Sequence, residues 1–203
     1  ALGLLASAAG GALYPFLGPY LESAEGFDVR ELSLLARGAA VVNCVMPFVW
    51  GVLSDRVIAV NRLICLLHLS AAFSLLLFSR GAGLIMLTGL FALYTAQQQP
   101  TNSLSNALCY HNLADPPRQF GSLRLWGSVG WALPSVPIAF WLLDGGEPSL
   151  HLFIYLTFGL HLVRALLYPC LPPTPPPGRQ ADPGPFPADA HSWFRAPALV
   201  APL

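Results

Sequence analysis

Six stretches of this 203-residue chain are each long and apolar enough to cross the hydrocarbon core of a bilayer as a helix, which takes about 20 residues. They lie near Leu2–Leu21, Leu32–Leu53, Val57–Phe78, Leu84–Leu108, Phe120–Leu143 and Leu150–Pro169. The connections between them are short, so successive helices are expected to pack as antiparallel neighbours. The fold class that follows is all-α and integral to the membrane, a six-transmembrane-helix bundle. Charge agrees: 10% of the residues are charged, against about 25% in a soluble domain.

The ten basic residues are all arginine and are balanced by ten acids. No basic tail or patch points to nucleic acid, and the partner that composition implies is the lipid bilayer. With the N-terminus in the cytoplasm, the inner loops and helix ends receive Arg56, Arg62, Arg118, Arg124 and Arg164, then Arg179 in the tail. The outer side receives Arg30 and Arg80, with Arg37 nearby. That asymmetry orients the N-terminus inward by the positive-inside rule, in a multi-pass protein of the plasma membrane.

Cys44, Cys65, Cys109 and Cys170 stand singly in apolar surroundings, without CxxC or a histidine at metal spacing, and read as buried thiols. Neither a metal nor a cofactor is expected. An enzyme would need a nucleophile with its base or paired His and carboxylates at ligand spacing, and no GxSxG elbow or such pair occurs.

The chain starts at Ala1, already inside an apolar run, and reads as a fragment. A signal peptide is the rival reading of Ala1–Leu21, but a basic n-region is lacking and Tyr14, Pro15 and Pro19 interrupt the run. Residues 1–170 form the six-helix domain. Residues 171–192, with PPTPPP, read as an extended or disordered Pro-rich linker, and 193–203 as the truncated start of a following segment.

Polar residues inside these spans carry the functional signal. An arginine at a helix centre costs roughly 2.5 to 3.5 kcal/mol on insertion scales, so it tends to face a bundle interior or a watery cavity. In RQFGSLRLWGSVGW, Arg124, Ser128, Trp131 and Ser135 follow i, i+4, i+7, i+11 and share one helical face. The fourth span, ALYTAQQQPTNSLSNALCYHN, repeats Tyr94, Gln98, Thr101 or Asn102, Ser105 and Cys109 at helical spacing, with Asn106 adjoining and Pro100 breaking the ladder. So many amides either bind neighbouring helices together or line a cavity. In the first span, Pro15 and Pro19 release backbone carbonyls that a packed neighbour or cavity water must satisfy. Arg37, more than a turn inside the second span, either enters the cavity or snorkels outward to Glu31 or Glu22. His68, His151 and His161 each read as a lone hydrogen-bonded core histidine.

These residues together resemble the major facilitator superfamily of secondary transporters, and within it the lactose-permease-like and nucleoside-symporter-like group. Gly51, Leu53, Asp55 and Arg56 resemble its GxLxDR loop motif, although Ile58 and Ala59 depart from the motif's later glycine and basic residue. GALYPFLGPYL resembles the group's first helix and FGSLRLWGSVGW the start of its fifth. The resemblance implies a proton symporter of a sugar, nucleoside or other small polar solute, working by alternating access, with this chain as its N-terminal half and a C-terminal half missing. It implies that Arg124 recognises substrate hydroxyls, that Trp131 stacks on the ring, and that Asn106 stands where an acidic partner of the arginine is found. Substrate contacts are expected from Arg124, Trp131, Asn106, Asn102, Gln98, Ser128 and Arg37, and a conformational gate from Gly51, Asp55 and Arg56. The alternative is a non-transporting scaffold or receptor of the same fold, whose PxxP-containing tail binds a partner.

Overall fold

The computed structural model describes residues 2–145 and 150–171. Among them the chain forms α1 (Leu2–Ala24), α2 (Val29–Arg56), α3 (Val60–Phe78), α4 (Leu84–Asn112), α5 (Pro116–Leu143) and α6 (Leu150–Leu167), followed by a 3-10 turn, Tyr168–Cys170. The Pro-rich segment and the final apolar residues expected from the sequence lie outside the described residues. Local chemistry sets the ends. Asp28 caps α2 by accepting from the Glu31 amide at 2.8 Å while the Glu31 carboxylate accepts from the Asp28 amide at 2.9 Å. α5 opens on proline, whose missing N–H costs nothing in the first turn.

Four helical stretches, Val29–Arg56, Val60–Phe78, Arg118–Leu143 and Leu152–Cys170, are long and apolar enough to cross a membrane. α4 has the length, but its amides dilute its apolar character. In space the helices run in the order α5, α1, α6, α3, α4, α2. Of the chain neighbours, only α3 and α4 pack along their length; α1 with α2, α2 with α3 and α4 with α5 touch at a few positions. This corrects the expectation of successive antiparallel packing. A short loop fixes only the joined ends of two helices, and side-chain shape along their length selects the partner. In α3, 56% of the spanning stretch is buried, but in α2 and α5 only 11%, so α3 is central and the other two close the ends of the arc.

Large apolar side chains hold the centre. Leu13, Phe16, Leu17 and Leu21 of α1 meet Leu75 and Phe78 of α3, Phe91 and Tyr94 of α4, and Phe153 and Ile154 of α6. A second cluster joins Val60, Leu63, Ile64 and Leu67 to Leu104, Leu108 and Tyr168. Facing outward are Phe48, Phe73, Ile85 and Leu166, as a lipid environment permits.

α1 and α5 come close because small residues line their seam. A Cβ added at Gly11 would collide with the Trp131 carbonyl, and one at Gly130 with the Leu4 carbonyl. Such glycines let membrane helices approach backbone to backbone. Two of the helix prolines, Pro15 and Pro100, are answered from a neighbouring helix. Pro15 cannot donate to the Gly11 carbonyl, and the Ser135 hydroxyl of α5 takes that place at 2.8 Å, sharing its proton with the Trp131 carbonyl. Pro100 likewise leaves the Ala96 carbonyl, which accepts from the Trp50 indole N–H of α2 at 2.9 Å.

Candidate functional site: a polar cavity between α1, α4 and α5

α1, α4 and α5 wall a cavity of about 770 Å³. α5 contributes Arg124, Ser128 and Trp131, one face of the helix as their spacing requires. From α4 come Gln98, Asn102, Ser105 and Asn106, which also lie on one face. α1 offers small residues, Gly3, Ser7 and Gly10, then Tyr14. The small side of α1 makes the room, and the long polar side chains of α4 and α5 fill its rim.

The Trp131 indole lies parallel to the Tyr14 ring, with centroids 6.2 Å apart and planes 2° from one another. Behind it an added Cβ on Gly10 would touch the indole, so the ring rests on the α1 backbone. Trp131 still keeps 41% of its surface exposed, which leaves aromatic area for a ligand. Arg124 is exposed to the cavity, and among the described residues no Asp or Glu lines it. Its guanidinium therefore presents forked donors to whatever enters. Gln98 is 2% exposed and its Oε1 has no hydrogen-bond partner. A buried amide oxygen of this kind costs about 1 to 3 kcal/mol until something donates to it. Donors, acceptors and an aromatic plane are thus gathered in one space, a combination suited to a small hydroxylated solute.

Of the residues singled out in the sequence, Gln98, Asn102, Asn106, Arg124, Ser128 and Trp131 line this cavity, and Arg37 does not. Arg37 is exposed on α2, the helix at the far end of the arc. Ser135, last of the α5 stripe, serves the seam with α1 instead. Gly51, Asp55 and Arg56 form the end of α2. There the Ser54 hydroxyl bonds the Gly51 carbonyl at 2.7 Å and lies 3.4 Å from the exposed Asp55 carboxylate. A Cβ at Gly51 would meet nothing within 4 Å, so the motif's glycine faces open space in this half.

Arg164, counted from the sequence as an arginine at an inner helix end, stands in the last turn of α6 and is 0% exposed. Its guanidinium lies 5.9 Å from the centre of the Tyr168 ring. One expectation about burial is corrected. The cysteines are not uniformly buried: Cys44 and Cys170 are exposed and Cys65 and Cys109 half-buried, because a thiol is apolar enough to face lipid or a cavity wall.

Sequence reasoning missed a second polar stripe. Thr157, His161, Arg164 and Tyr168 follow i, i+4, i+7, i+11, the spacing that drew attention to α5, and each is at most 2% exposed. Taking the histidines one at a time hid it. His68 and His161 are paired, Nδ1 to Nδ1, at 3.0 Å.

Apolar helices of this length, packed about a cavity lined by polar and aromatic side chains, define an integral, multi-pass membrane protein. Residues 2–175 match the MFS_1 like family, and the chain belongs to that family, as the N-terminal half of the major facilitator fold. It is 27% identical to maltose permease of Geobacillus stearothermophilus over 135 residues, 66% of this chain and 34% of that protein. In fold it is similar to a crystal structure of nucleoside transporter NupG, with a TM-score of 0.80 at 21% identity over 96% of this chain and 49% of that one. A second NupG structure gives 0.78 at 20% identity, over 98% and 50%. The chain thus spans about a third of the permease and half of NupG, and these relatives are membrane transporters rather than enzymes.

Proposed function

We propose that this chain is the substrate-holding N-terminal half of a secondary active transporter for a small polar solute such as a sugar or nucleoside. The carrying observation is the convergence of Gln98, Asn102, Asn106, Arg124, Ser128 and Trp131 on one cavity, which no carboxylate lines among the described residues. In this reading all six helices span the plasma membrane, α1 and α4 included, and the N-terminus is cytoplasmic. A C-terminal half closes the cavity from the other side, the two halves rock about the solute, and a proton travels with it. Arg124 forks onto substrate oxygens, Trp131 covers the apolar face of a ring, and the amides of α4 complete the polar shell. Gly51, Asp55 and Arg56 act at the cytoplasmic end of α2 as part of the gate. The likeness to a maltose permease and to the nucleoside transporter NupG supports this choice of solute class.

The test is uptake of radiolabelled maltose and uridine by the full-length protein. Arg124→Ala is expected to abolish uptake while membrane insertion stays intact. Wild-type rates in that variant would sink the assignment of the cavity as the substrate site. The scaffold alternative rests on the Pro-rich tail, outside the described residues, and saturable uptake by the full-length protein excludes it.

A further inference from the structure

Outside the cavity, α3, α4 and α6 enclose a second group of ionisable side chains. His68 of α3 and His161 of α6 are each 0% exposed and share a hydrogen bond between their Nδ1 atoms at 3.0 Å. The Tyr94 hydroxyl of α4, on a side chain also 0% exposed, lies 3.3 Å from His161 Nε2. His68 Nε2 is buried with no hydrogen-bond partner. Two tautomer arrangements satisfy these contacts. In one, Tyr94 donates to His161 and His161 to His68; in the other, His68 donates to His161 and His161 to Tyr94, leaving His68 Nε2 with a bare lone pair. The group is a proton chain with an unused end.

The surrounding titratable and charged groups are few. α6 adds Arg164, one turn beyond His161; the 3-10 turn adds Tyr168, whose ring is centred 5.7 Å from that of His68; α1 adds Tyr14, 6.4 Å from Tyr94. Two of these also line the cavity. Tyr14 carries the stacked Trp131, and Tyr168 bonds Ser105 at 2.6 Å through its hydroxyl. The cavity wall therefore reaches both sides of the histidine pair.

Building such a group inside the hydrocarbon zone is expensive, and intramembrane histidine chains serve as proton relays. We propose that the His68–His161 pair is a proton-binding site of this half, communicating with the cavity through Tyr14 and Tyr94 on one side and Tyr168 on the other. Proton entry from a hydronium ion breaks one O–H bond, releases water, makes one new N–H bond at a ring nitrogen and leaves a cationic pair with three N–H groups. That charge then faces the Arg164 guanidinium in the same dry space, and like charges there repel strongly. Loading the proton therefore favours a different arrangement of α6 against α3, and a site whose occupancy differs between two arrangements is what couples a proton to a conformational change. The proton binding itself stands on geometry, whereas its coupling to the solute rests on the transport reading above.

Full-length protein in nanodiscs, labelled with ¹⁵N-histidine, tests the site without any substrate. On acid titration from about pH 8 to the lowest pH at which the protein stays folded, the imidazole signals of His68 and His161 are expected to move together in one step. In Tyr94→Phe, which keeps the ring and removes the hydroxyl, that step is expected to move along the pH axis. Absence of any step in both the wild type and Tyr94→Phe overturns the proposal. In proteoliposomes, His68→Gln and His161→Gln are expected to retain counterflow and to lose at least about tenfold of the accumulation driven by a pH gradient. Accumulation at the wild-type level in both variants overturns the coupling, even if the transport reading stands. A titrating pair in a wild type that transports nothing leaves the proton site standing and removes the transport reading.

Discussion

Trp50 of α2 donates its indole N–H to the Ala96 carbonyl of α4 at 2.9 Å, and that carbonyl is the one Pro100 cannot reach. Removing the donor leaves a buried acceptor unmet, whereas replacing the proline restores an amide within the helix. Trp50→Phe is therefore expected to destabilise the protein by about 1 kcal/mol, and Pro100→Ala to recover part of that loss in the double variant. Thermal unfolding of the four proteins in detergent measures the coupling. Purely additive effects would mean that the bond contributes nothing.

Gly130 and Gly11 set the distance between α1 and α5. A side chain at either meets backbone, which cannot yield. Gly130→Leu is expected to lower the amount of folded protein several-fold, in line with overpacking costs of about 1 to 3 kcal/mol. Gly18, where an added Cβ has open space, supplies the control. Folded yield by size-exclusion chromatography should separate the two.

Trp131 keeps an exposed face on the cavity while Tyr14 and the α1 backbone hold the ring. Trp131→Phe keeps an aromatic plane and should raise KM modestly, while Trp131→Ala should weaken affinity by about tenfold or more. Equal KM values for the wild type and Trp131→Ala in uptake assays would remove the ring from the binding site.

Gln98 and Ser135 separate binding from stability. Gln98 Oε1 has no protein donor, so Gln98→Leu is expected to spare the unfolding temperature and to raise KM roughly tenfold. Ser135 serves the Gly11 carbonyl, so Ser135→Ala should lower the unfolding temperature and leave KM unchanged. Measuring both quantities on both variants decides whether the two roles are distinct.

Much of the architecture was legible in the chain because membrane helices are written locally. The starts at Leu2, Leu84 and Leu150 and the ends at Phe78 and Leu143 coincide with the apolar runs. The gathering of Arg124, Ser128 and Trp131 follows from helical periodicity alone. Arg37 shows the limit of that reasoning: its cost in a span is the same as that of Arg124, yet it lies on a helix that does not wall the cavity.

Length, apolar content and 3.6-residue spacing by themselves determined the helices, the polar faces of α4 and α5, and the carbonyls that proline would release. Tertiary structure alone decided which helices touch, that Ser135 and Trp50 answer those carbonyls, and that His68 and His161, 93 positions apart in the chain, share a hydrogen bond. The reason is physical. Hydrogen bonding and side-chain spacing within a helix are local, whereas in lipid the choice of partner depends on shape across a seam, which no single segment contains.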